Sequence, residues 1–184
     1  MKGYMSMKRT VLILTALILA VFTLPGCVLP GKADTKTTVG RRVELDLSEA
    51  SVQTDRDTHG GFHGDGVWFV QLDCSARPLA DEIAANPHWK PLPASDNVAI
   101  LLYGGEKAGS GYAPVVKIDD HDSGVYDQPL FPEVENGYYF FFDRHDGVKD
   151  PYNDVSVLNR ASYNFTVAVY DADADTLCFC EVDT

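Results

Sequence analysis

The chain has 184 residues and a formal net charge of −12, from 27 acidic and 15 basic side chains. So large an acidic excess excludes recognition of nucleic acid or anionic headgroups through charge, because both depend on clustered Lys and Arg. It favours solubility and leaves cations or basic partners as the charge-matched ones.

Lys8 and Arg9 precede an apolar run from Val11 to Leu24, and the sequence turns polar soon after Cys27. A charged start, an apolar stretch too short for a comfortable stop-transfer helix and a small residue before the cut make a secretory leader over residues 1–26. Leu24-Pro25-Gly26-Cys27 resembles the lipobox of bacterial lipoproteins. The resemblance implies cleavage before Cys27, lipidation of its thiol, and a place at the bacterial cell membrane facing outside the cytoplasm. Lys2, Lys8 and Arg9 leave with the leader, which moves the balance of the mature chain from −12 to −15. Membrane attachment then rests on the acyl chains, at roughly 0.8 kcal/mol per buried CH₂. Beyond the leader the sequence resembles no characterised family.

Residues 27–41 are rich in Pro, Gly, Lys and Thr without apolar periodicity, and read as a lipidated tether. Residues 42–184 suit a single β-rich domain with a proper core. Val43, Leu45 and Leu47 alternate with Glu44 and Asp46, the pattern of a half-buried first strand. Val67 to Cys74 predicts a second strand with Trp68, Val70, Leu72 and Cys74 on one face. Pro78 opens a short helix that Asn86-Pro87 stops, and Val98 to Tyr103, almost purely apolar, predicts a central strand. Gly104 to Gly111 reads as a glycine-rich mobile loop, and Tyr138 to Asp143 as a strand.

The stretch from Tyr163 to Val182 is a β-hairpin around a polar turn. Pairing Tyr170 with Thr176 sets Ala168 against Cys178 and Thr166 against Cys180. In sum the sequence predicts a mainly β fold, an antiparallel sandwich or curled sheet of about seven strands with one short helix.

With Cys27 assigned to lipid, Cys74, Cys178 and Cys180 remain. One bridge and one free thiol is the first arithmetic, Cys74 pairing with either of the others. Three buried reduced thiols acting as small hydrophobes is the second.

Two loops carry metal-ligand chemistry. Asp57, His59, His63 and Asp65 alternate with glycines, and imidazole nitrogen with carboxylate oxygen is a donor set Zn²⁺ accepts. The structural alternative is a tight turn in which the histidines cap backbone groups. Asp171, Asp173 and Asp175 resemble the opening of an EF-hand calcium loop, although Thr176 stands where that loop needs glycine. Their alternative is a solvated hairpin tip.

Three functions follow from these features. The first is a non-catalytic envelope lipoprotein whose domain binds an envelope protein or a glycan. The second is a metal-dependent envelope hydrolase built on the Asp57–Asp65 loop, and the third a calcium-stabilised adhesion or carbohydrate-binding module.

Overall fold

The computed structural model describes residues 34–60, 64–117 and 129–184. The leader, Cys27 and His63 lie outside the described residues. From Asp34 to Thr184 the chain forms one unit.

The expected mainly β, antiparallel architecture is the one adopted. In chain order the elements are α1 (Thr35–Val43), β1 (Ser51–Asp57), β2 (Gly66–Asp73), α2 (Ala80–Ala85), β3 (Trp89–Pro91), α3 (Asp96–Tyr103), β4 (Gly105–Lys107), β5 (Ser110–Tyr112), β6 (Gly137–Asp143), β7 (Asn164–Asp171) and β8 (Thr176–Asp183), with a short 3₁₀ turn at Val157–Asn159. Six strands make one open sheet in the order β1-β2-β8-β7-β6-β3, every neighbour antiparallel. β4 and β5 form a separate small hairpin.

Both faces of the sheet are covered. One side packs Phe69, Tyr139, Phe141, Phe165, Val167 and Val169 beneath α3 and the segment around Phe131. On the other, Val70, Leu72, Phe140, Tyr170 and Phe179 lie beneath α1, α2 and the Leu45–Ala50 turn. Two-sided burial explains why β7 and β8 are buried at every interior position. Each fully buried Val, Leu, Ile or Phe side chain contributes about 1.5–3 kcal/mol relative to an exposed one.

Four local readings change. The apolar run at Val98 is helix α3, because Ser95 caps it by accepting from the Val98 amide and Asp96 stands in its first turn. Val98, Ile100, Leu101 and Leu102 are all buried, so burial on several sides erases the helical period that would have revealed it. The alternation at Val43, Leu45 and Leu47 is real as burial, yet it belongs to the end of α1 and a turn. Glu44 closes the helix with φ 62°, and the Leu45 amide donates to Gly40 O. Gly40 is required there, since a Cβ would stand 2.6 Å from Leu45 O. Thus residues 34–41 of the expected tether are folded, with Val39 in the core.

Gly104 to Gly111 is not an irregular loop: it forms β4 and β5 around a turn with positive φ at Ala108 and Gly109. The C-terminal hairpin is displaced by one residue from the expected register. Asp171 pairs with Thr176, so Cys178 faces Val169 and Cys180 faces Val167. The cause is Asp171, whose Oδ1 accepts from the amides of Asp173 and Ala174 and tightens the turn by one residue.

Candidate functional site

The Asp57–Asp65 loop is strapped to the start of β2. Thr58 and Val67 exchange hydrogen bonds, and Gly66 lies so close to His59 that a Cβ would fall 2.5 Å from the His59 Cα. That contact fixes the imidazole between two carboxylates: Nδ1 lies 2.6 Å from Asp57 Oδ1 and Nε2 lies 3.1 Å from Asp183 Oδ2. Both ring nitrogens are thus within hydrogen-bond distance of a carboxylate oxygen, and neither is open to an ion in this arrangement. Asp65 is exposed. Among those residues no three His, Cys, Asp or Glu side chains converge as ion ligands.

Asp183 is shared. Arg144 donates to both of its oxygens at 3.1 Å, and the same arginine approaches Glu181, which also takes Arg42 at 3.0 Å and the Thr166 hydroxyl at 3.2 Å. Glu181 is buried between its cross-strand partners Trp68 and Thr166, on the same face of the sheet. These contacts lock α1 and the end of β8 onto the sheet.

The three aspartates of the hairpin tip are occupied separately. Asp171 closes its own turn, Asp173 accepts from Asn136 Nδ2 at 2.7 Å, and Asp175 accepts from the Tyr170 hydroxyl. Their roles are those of a hairpin tip tied to β7 and to the residue before β6.

Cys74, Cys178 and Cys180 are free and buried. No bridge from Cys74 forms, because Cys74 packs with Val70 and Leu72 on one face of the sheet and Cys178 and Cys180 pack on the other. Burial pushes the thiols of Cys74 and Cys178 up to about 12, and raises Cys180 as well. Such groups are hydrophobic packing, far from thiolate nucleophiles.

A further cluster joins α1 to the loop after β6. Glu44 accepts from His88 Nδ1 and from the Tyr152 hydroxyl, each at 2.7 Å, while His88 and Tyr152 stack at 3.6 Å. Burial alone would raise the Glu44 carboxyl, but the bonds from Tyr152, His88 and Asn86 outweigh it and hold the group below its ordinary value. Tyr152 is pushed up to about 12, by burial first and then by Glu44.

An open groove of about 590 Å³ lies along residues 145–160. Arg160, one of its lining residues, grips Asp143 behind it, whose side chain is fully buried, through both oxygens. The Asp143 Oδ1 also accepts from the His145 amide, which sets the start of the groove wall. His145 Nδ1 donates to Asp146 O at 2.9 Å, leaving Nε2 available. The side chains of Asp146, Lys149, Ser156 and Asn159 line the groove and have no protein partner among the described residues.

Comparison with known proteins finds no match: no family model fits the chain, and no similar curated protein or solved structure was found. The site therefore rests on its own geometry. Asp57 and His59 were visible in the sequence and are brought together, whereas Asp183, Arg144 and Glu181 come from more than 80 residues away in a pairing no local pattern announces. The groove was missed because its residues read as ordinary polar loop. Its one sequence signal is Asp143 closing an aromatic strand, with Arg160 as the remote cation that a buried carboxylate requires.

Proposed function

We propose that this chain is a lipid-anchored protein of the bacterial envelope whose folded part is a non-catalytic binding domain. In this reading the anchor is the acylated Cys27, which the Leu24-Pro25-Gly26-Cys27 motif supports. The binding face is the 145–160 groove. The observation that carries this reading is the set of uncommitted polar side chains beside the Arg160–Asp143 ion pair, whereas the His59 and Glu44 clusters are satisfied among themselves. The chemistry elsewhere points the same way: the imidazole of His59 is spent on two carboxylates, and the thiols are pushed out of the nucleophilic range.

Intact-mass analysis of full-length protein extracted from membranes tests the anchor. The expected mass is that of a chain beginning at acylated Cys27; a chain retaining residues 1–26 contradicts it. Binding is tested by exchanging Lys149 and Asn159 for alanine and measuring retention on isolated envelopes stripped of lipid by detergent. Retention should drop for the variant while its unfolding midpoint stays unchanged; equal retention of both proteins removes the groove from the account.

A further inference from the structure

The groove's chemistry narrows what it holds. Arg160 is neutralised by Asp143, which leaves Lys149 against Asp146 and Asp150 as the local charges. An anion such as phosphate would meet two carboxylates within a chain of net charge −12. A polyamine, which only donates, would leave the Lys149 ammonium and the Asn159 side-chain N–H groups without an acceptor. The uncommitted groups are mixed: Asp146 and His145 Nε2 accept, Lys149 donates, and the Ser156 hydroxyl and Asn159 amide do both. A hydroxyl group also does both, and a run of hydroxyls satisfies such a wall without a charge mismatch.

Val155 adds the apolar element. It lines the same groove and is 70% exposed, an aliphatic surface against which the C–H face of a sugar ring can pack. A volume of about 590 Å³ accommodates more than one ring. We propose that the 145–160 groove binds an uncharged, polyhydroxylated ligand, a neutral glycan of two or more rings. The assignment rests on reading the groove as the binding face, and it commits that face to one ligand class.

The test uses the full-length protein in mild detergent on an array of neutral, sulfated and amino-bearing oligosaccharides, followed by calorimetry on the best ligand. Inorganic phosphate and spermidine serve as charged probes, and amide hydrogen exchange locates any binding. Neutral glycans should bind, should slow exchange over residues 145–160, and should bind at least tenfold more weakly to Asn159→Ala and Asp146→Ala, both with unchanged unfolding midpoints. Protection of the groove by phosphate, spermidine or charged glycans, without binding of neutral ones, overturns the ligand class and leaves the groove standing. If no ligand slows exchange over 145–160, the ligand class and the binding face fall together.

Discussion

Arg160 holds Asp143 by both oxygens, Nη1 to Oδ2 and Nη2 to Oδ1 at 2.8 Å each, where β6 ends and the groove begins. The carboxylate is fully buried and the arginine side chain 16% exposed, which makes the carboxylate depend on its partner. Removing one partner strands a buried charge. Asp143→Ala should cost about 3–5 kcal/mol in urea denaturation. The double variant Asp143→Leu with Arg160→Met, which strands no charge, should lose less than the single one. A single variant as stable as the parent contradicts the role of the pair.

Helix α3 depends on its cap and on the face it buries. Ser95→Ala should cost about 1 kcal/mol by removing the acceptor for the Val98 amide. Leu101→Ala should cost about 2–5 kcal/mol, because Leu101 is fully buried. Chemical denaturation measures both. A Ser95 variant with no change would mean that residues 96–103 do not start as a capped helix.

The Glu44–His88–Tyr152 cluster gives stability a pH signature at both ends. The Glu44 carboxyl lies below its ordinary 4.5 in the fold, so its contribution is present above pH 4.5 and is lost as pH falls through the lower folded value. The Tyr152 hydroxyl is raised from 10.0 to about 12, so its contribution is complete below pH 10 and is lost as pH rises through about 12. Urea midpoints should therefore fall less steeply with acid in Glu44→Gln, and less steeply with alkali in Tyr152→Phe. Parallel curves for parent and variants would remove the cluster from the titration.

The three thiols should be silent in the native state. At mild alkaline pH a thiol reagent should label none of Cys74, Cys178 and Cys180, because burial holds them protonated, and should label all three after denaturation without reductant. Fewer than three labels after denaturation would reveal a bridge.

Much of the fold was legible where one face alone decides a residue's type. The second strand's core-facing set of Trp68, Val70, Leu72 and Cys74, the aromatic strand at Tyr138, the helix after Pro78 and the C-terminal hairpin all follow from alternation and turn chemistry. Where burial comes from several directions, the pattern goes silent: Val98 to Tyr103 looks the same as strand or buried helix, and only Ser95 and Gly104 distinguish them. Register proved finer than pattern, since one Asp171 side chain moved the hairpin pairing by a residue. The candidate site was the least legible part. A loop such as Asp146 to Asn159 has no period, and its significance arises from the ion pair of Asp143 and Arg160 beside it.

The groove can be tested in place by a thiol introduced at Ser156, because Cys74, Cys178 and Cys180 are buried and Cys27 carries the proposed lipid. Maleimide labelling of Ser156→Cys is compared between intact envelopes and purified full-length protein, with Glu49→Cys, at an exposed position in the turn after α1, as the reference. Occupancy of the groove predicts labelling at Ser156→Cys at least several-fold slower in envelopes than in purified protein, with the Glu49→Cys rate unchanged. Equal slowing at both positions, or none at Ser156→Cys, would contradict a ligand held there.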